Sequence, residues 1–111
     1  MRGLAGWRIV RPFIDLVGAS GAVYRFRRFE QGQIPATGGA FAYVQEGADG
    51  PRVLGLGKAR TLAHALAGAA LRREPEGELY LRLNVVAAAQ DSEYEDLTAA
   101  LPEPFVRYES E

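Results

Sequence analysis

Apolar and polar positions alternate with period two over Ala22-Val-Tyr-Arg-Phe-Arg-Arg-Phe29. Tyr24 and Phe26 fall on one face of that run and Arg25 and Arg27 on the other, the signature of a strand with one buried face. Arg28-Phe29 breaks the alternation, as a strand end or bulge does. Before it, Ile9 to Val17 is β-rich, with Pro12 confining it to an edge or a late start. Gly18-Ala-Ser-Gly21 is a turn, so residues 9–29 predict an N-terminal β-hairpin. Phe41, Tyr43 and Val44 suit a second pleated run, Glu46 to Pro51 is dense in turn residues, and Arg52 to Gly57 is a further short strand. Thr61 can cap a helix in which Leu62, Leu66, Ala69 and Ala70 pack, ending near Arg72-Arg73 before Pro75.

Leu79 to Ala87 alternates most clearly. Leu79, Leu81, Leu83 and Val85 share one face, and Tyr80, Arg82, Asn84 and Val86 the other. Ser92-Glu-Tyr-Glu95 has capping-box spacing and places a helix start at Asp91-Ser92. Tyr94, Leu97 and Leu101 then share a face, and Pro102 and Pro104 end the helix. Residues 105–111 are expected to form a loose tail, and residues 1–8 to fray. The order is hairpin, hairpin, helix, strand, helix. It predicts one α+β domain over residues 1–111: a small antiparallel sheet packed with two main helices.

Composition adds limits. A chain of 111 residues, 48% hydrophobic and 24% charged, has the make-up of an ordinary soluble globule. No apolar window approaches the roughly 20 residues that span a bilayer, and the interrupted N-terminal run is not a signal peptide. Zero cysteines exclude disulfides and thiolate metal sites and fit a cytoplasmic setting. Net charge is −1 but unevenly spread. Residues 1–29 carry six arginines against Asp15, a local +5, and residues 74–111 carry ten acids against Arg82 and Arg107, a local −8. A basic front attracts phosphate, whereas mixing of the segments on folding cancels it.

Catalytic inventories mostly fail. His64 is the only histidine, and no Gly-x-Ser-x-Gly elbow surrounds a serine. Gly55-Leu-Gly57-Lys58 misses the Walker A spacing, since Arg52 and Ala59 stand where Gly and Ser or Thr are needed. It reads either as a strand end turned by glycines or as a corner where a ligand approaches. Glu93, Glu95 and Asp96 read either as dipole and capping charges or as metal-facing carboxylates. Arg25, Arg27 and Arg28 beside Tyr24 and Phe26 read either as a solvated strand face or as a basic-aromatic nucleic-acid face.

Gly39-Ala-Phe-Ala-Tyr-Val44, a turn, and Val53-Leu-Gly-Leu-Gly-Lys-Ala-Arg-Thr-Leu62 together resemble the GIY-YIG nuclease module. Gly57-Lys-Ala-Arg-Thr-Leu62 is similar to a Gly-Lys-Ala-Lys-Asn-Leu run of the excision-repair endonuclease, and Asp96-Leu97 with Pro102 and Pro104 to that family's Glu-x-x-Leu-Ile helix and its exit. Phe13 to Phe26 resembles a hairpin that precedes the module in some bacterial GIY-YIG-like proteins. The resemblance covers residues 13–105. It implies a three-stranded antiparallel core over 38–102 with the 9–29 hairpin added. It also implies phosphodiester cleavage by strand tyrosines, a helix arginine and a metal-holding glutamate.

Those four positions fall on Phe41, Gly55, Ala65 and Tyr94, none of which carries the needed group. The expectation is therefore a catalytically inactive GIY-YIG-like domain serving as a binding module without cofactor. Lys58, Arg60, Arg25, Arg27 and Arg28 are its candidate phosphate contacts. One alternative is a divergent Mg²⁺-dependent endonuclease using Tyr43, His64 and Glu95. Tyr43 lies two residues from Phe41, about 7 Å along the strand. The other alternative is a protein–protein module, dimerising through an exposed sheet edge.

Overall fold

A computed structural model of the chain describes residues 11–30, 32–69 and 77–109. The elements in order are β1 (Phe13–Val17), β2 (Val23–Arg28), β3 (Gly39–Gly47), β4 (Gly50–Ala59), α1 (Leu62–Ala69), β5 (Glu78–Leu83), α2 (Ala87–Ala100) and β6 (Val106–Glu109). They form an α+β domain with one six-stranded sheet of order β1-β2-β5-β3-β4-β6. Every neighbouring pair is antiparallel except β4 with β6, which run parallel, so the sheet is mixed rather than wholly antiparallel.

Each face of the sheet buries its own core. Ile14, Leu16, Phe26, Ala42, Val44, Leu56 and Tyr80 meet Tyr94, Leu97 and Phe105 on the α2 side. Phe41, Tyr43, Leu81 and Tyr108 meet Leu62, Ala65 and Leu66 on the α1 side. The odd–even split of β5 is the period-two alternation read in the sequence, whereas β3 is apolar on both faces and sends Ala42 and Val44 to one core and Phe41 and Tyr43 to the other. In β4 the alternation slips once. Tyr43 pairs with Gly55 and Val44 with Val53, so Leu54 is an extra, bulged residue. The slip lets Val53 and Leu56 reach the α2 core while Gly55 and Gly57 face α1.

Several boundaries differ from the sequence reading. The β3–β4 turn is two residues, Ala48-Asp49, closed by Gly50 at φ 108°, where a side chain is disfavoured. Pro51 therefore lies inside β4, opposite Glu46. It is tolerated because β6 pairs with β4 only over Gly55–Lys58, leaving an edge at Pro51. β5 stops at Leu83 instead of Ala87. The Asn84 N–H bonds the Gly38 carbonyl, and the Asn84 side chain accepts the Val86 N–H at 3.1 Å, turning the chain.

Helix α2 then begins at Ala87, five residues before the expected Ser92 cap. Ala87-Ala-Ala favours helix strongly enough to start it with Val86 at the N-cap position and no side-chain cap. Ser92 is an exposed mid-helix residue, and no capping box forms. The expected loose tail is corrected too: Val106–Glu109 is a strand, with Phe105 and Tyr108 buried. The fraying of residues 1–8, the first strand's start at Ile9-Val10, the helix end at Arg72-Arg73 and most of the Glu74–Glu78 turn lie outside the described residues.

Candidate functional site

The glycine corner sits within β4 and is filled by aromatic rings. Tyr108 packs on Gly55, where a Cβ would lie 2.7 Å from its Cε2. The Phe41 ring lies on Gly57, leaving no room for a Cβ there. Phe41, Tyr43 and Tyr108 form a mutually packed trio with ring centroids 5.7–6.1 Å apart, in edge or tilted orientations. All three are under 7% exposed. The close approach that these glycines permit is used by the protein's own side chains, and Tyr108 had no part in the sequence reading.

Of the four positions that the family likeness assigns to chemistry, Phe41, Gly55 and Ala65 lie on the α1 face. Tyr94 lies in the core between α2 and the opposite face, so the sheet separates it from the other three. The residues of the enzyme alternative are dispersed as well. Tyr43 is buried under α1, His64 is exposed on α1, and Glu95 is exposed on α2, across the sheet. Among the described residues no group of three or more His, Cys, Asp or Glu comes together to hold a metal ion.

The basic candidates divide between the two faces and mostly carry acid partners. Lys58 Nζ lies 3.0 Å from Asp91 Oδ1 and 5.1 Å from the Tyr94 ring centroid. Arg60 donates to Asp91 at 3.1 Å and to Gln90 Oε1 at 2.6 Å. Arg25 makes a two-pronged pair with Asp15, at 2.9 and 3.1 Å. Arg28, on the α2 side of β2, lies 3.4 Å from both Glu30 and Glu78. Arg27 is exposed, opposite Phe13, with no ion-pair partner among the described residues.

The densest polar arrangement is a seam along α2. Asp91, Glu93 and Asp96 each reach down to the sheet. Asp91 takes Lys58 and Arg60. Glu93 takes the Arg82 fork at 2.9 and 3.2 Å and the Asn84 amide at 3.2 Å. Asp96 accepts from the Ser20 hydroxyl at 2.6 Å, the Ser20 N–H at 2.8 Å and the Tyr24 hydroxyl at 2.8 Å. Buried Gln90 bonds the Asn84 carbonyl at 2.6 Å. These acids do not cap α2; they tie the helix to three strands and a turn. The sequence groups Glu93 and Asp96 with Glu95 and leaves Asp91 outside that cluster, and the donors lie as far as 76 residues away.

The seam has a pH signature. Hydrogen bonds from Lys58 and then Arg60 hold the Asp91 carboxyl below its usual range. Bonds from Ser20 and then Tyr24 do the same for Asp96, and Arg25 does so for Asp15. A lowered folded pKa means stability that is present above the unfolded value, about 3.9, and lost as pH falls through the folded one. The expected outcome is a Tm that is level near neutrality and falls on acidification below about pH 4. Asp91→Asn should lower the neutral-pH Tm and flatten that acid limb; an acid limb identical to that of the parent would count against the seam. The Tyr24 hydroxyl, held protonated by Asp96, adds a contribution lost only as pH climbs past about 10.

No family model, curated protein or solved structure matches the chain.

Proposed function

We propose that this chain is a non-catalytic protein-interaction module whose working surface is the open hairpin end of the sheet. The observation that carries the reading is a row of apolar side chains left uncovered there. On the α1 side of the sheet, α1 packs against β3 and β4. Beyond it, Phe13, Val17 and Val23 are 44–59% exposed, beside Leu83 at 56%. Loop residues Phe29, Gln33 and Pro35 rise next to this row and, with Phe13, Arg27, Leu81 and Leu83, enclose an open groove of about 550 Å³. Clustered apolar exposure of this kind marks contact surfaces more often than catalytic ones.

The GIY-YIG likeness remains a proposal for the frame: the β3–β4 hairpin, α1, and β5 returning beside β3. In that reading β4-β3-β5 corresponds to the family's three-stranded sheet, the tyrosine positions have become packing positions, and no metal is required. Nucleic acid is the second reading, favoured by one observation: Arg27 stands exposed within the apolar row. The pairing of Lys58, Arg60 and Arg25 with carboxylates weighs against a large phosphate footprint. No described helix is long and apolar enough to cross a membrane.

Plasmid and single-stranded DNA incubated with the purified chain and Mg²⁺ or Mn²⁺ should remain intact, and DNA affinity should be weak even at low salt. Cleavage that Glu95→Ala abolishes would overturn the non-catalytic reading. Tight binding that falls steeply with salt and is lost in Arg27→Ala would replace the protein partner with nucleic acid.

A further inference from the structure

We propose that β1 pairs with β1 of a second copy of this chain, antiparallel about a two-fold axis at Asp15, joining two sheets into one. The inference rests on the interaction reading above and names its partner.

The hydrogen-bonding phase of β1 comes first. The Arg28 N–H bonds the Pro12 carbonyl at 2.8 Å, and the Gly18 N–H bonds the Ala22 carbonyl at 2.9 Å. In an antiparallel ladder inward and outward residues alternate. Pro12, Ile14, Leu16 and Gly18 therefore bond inward to β2. Phe13, Asp15 and Val17 turn their N–H and C=O groups to the outer side, and no described strand lies there. Pro12, the residue that would block an edge, belongs to the inward set and leaves the outward donors intact.

The strand is also chemically palindromic. Phe-Ile-Asp-Leu-Val reads large apolar, aliphatic, acid, aliphatic, large apolar from either end. A two-fold interface needs self-complementarity, so that if residue i meets j, j meets i. Centring the axis on Asp15 places Phe13 against Val17 of the second copy and Ile14 against its Leu16. The three outward residues then exchange up to about six backbone hydrogen bonds. Phe13 and Val17, half exposed in the single chain, become cross-strand apolar pairs of the kind that stabilises sheets.

The unfavourable element is the apposition of Asp15 with its copy. The Arg25 fork on each Asp15 limits it, giving a charge row of Arg25, Asp15, Asp15 and Arg25 across the joined sheet. A five-residue edge makes a small interface, which places the association at the weak, concentration-dependent end of the range. The other edge is less suited. β6 is a four-residue strand in parallel pairing, and Val-Arg-Tyr-Glu has no such symmetry.

The absence of cysteine in the chain makes a register test clean. Residues facing each other in a hydrogen-bonded antiparallel pair have Cα atoms about 5.5 Å apart, within disulfide reach. The Asp15→Cys variant should cross-link to itself on mild oxidation. Phe13→Cys and Val17→Cys should each cross-link poorly alone, because each lies roughly 14 Å from its own copy in this register. Mixed together, they should form the 13-to-17 disulfide efficiently. Sedimentation velocity of the unmodified chain should show a monomer–dimer equilibrium, which Val17→Lys weakens by roughly tenfold or more. All these positions are exposed, and circular dichroism verifies that the variants fold.

A monomer at every concentration, or equal self-cross-linking of all three single variants, overturns the pairing. A monomer that also leaves DNA intact removes the pairing and keeps the non-catalytic reading. DNA cleavage by a cross-linkable dimer does the reverse.

Discussion

Phe41→Ala is expected to lower stability by about 3–5 kcal/mol, the cost of deleting a fully buried aromatic ring. Thermal denaturation should report it as a Tm fall on the order of 12 °C or more, at roughly 4 °C per kcal/mol for a domain of this size. The ring is 1% exposed, lies on the bare backbone of Gly57, and contacts both Tyr43 and Tyr108. Neither strand can move in to fill the void, because β3 is bonded to β4 on one side and β5 on the other. The companion variant Phe41→Tyr separates scaffold from site. It supplies the hydroxyl that the family likeness asks for, at the Cζ atom that already abuts Gly57. A buried hydroxyl with no space and no partner costs about 1–3 kcal/mol. Phe41→Tyr should therefore be less stable than the parent and gain no DNA cleavage. A Phe41→Tyr protein that is fully stable and cleaves DNA with Mg²⁺ would show that the corner is a site after all.

Much of this frame is visible in the chain before folding, because it is local. Tyr24 and Phe26 against Arg25 and Arg27, and Tyr80 against Leu81, follow from period-two alternation. Strand β6 is different. Val106-Arg-Tyr-Glu109 follows two prolines and has too few residues for a pattern, and it exists as a strand because β4 offers a parallel partner some fifty residues back. The start of α2 was missed for the opposite reason. A capping box at Ser92 is a correct local signal, outweighed by an alanine run and by the Asn84 turn that delivers the chain five residues earlier.

The candidate site was legible only as an inventory. Lys58, Arg60 and Arg25 are recognisable cations, but whether they are available to phosphate depends on where the acids fall. Asp15, ten residues from Arg25, was in principle readable from hairpin register. Asp91, 31 to 33 residues from Arg60 and Lys58, was not. The family likeness placed reactive groups by order along the chain. Folding then put Tyr94 across the sheet from Phe41, Gly55 and Ala65. Order along the chain is a one-dimensional property and does not say which face a helix covers.

Arg82→Ala is the second change with a large expected effect, and it connects the seam to the hairpin. β2 and β5 pair at Arg27–Leu81 and Arg28–Tyr80, and just past them the Phe29 N–H bonds the Leu79 carbonyl at 2.8 Å; toward Arg25 no further register pair is made. Beyond that point the Arg82 guanidinium bridges the two strands: it donates to the Arg25 carbonyl at 3.3 Å, lies 5.3 Å from the Tyr24 ring centroid, and grips Glu93 on α2. The Glu93 bond raises the Arg82 pKa, as expected for a charge held by its partner. Removing the fork leaves the Glu93 side chain, only 16% exposed, with the Asn84 amide as its remaining donor among the described residues. Hydrogen bonds to charged groups contribute about 1.5–3 kcal/mol each, so a loss of roughly 2–3 kcal/mol is expected. Arg82→Lys keeps the charge but not the planar fork, and should recover less than half of it. Hydrogen exchange should show where the loss falls. Amides of β1 and β2 should become less protected than those of β3 and β4, since the hairpin is the part Arg82 holds. Uniform loss of protection would instead assign Arg82 to the global core, and an unchanged Tm would remove the bridge from the account of this fold.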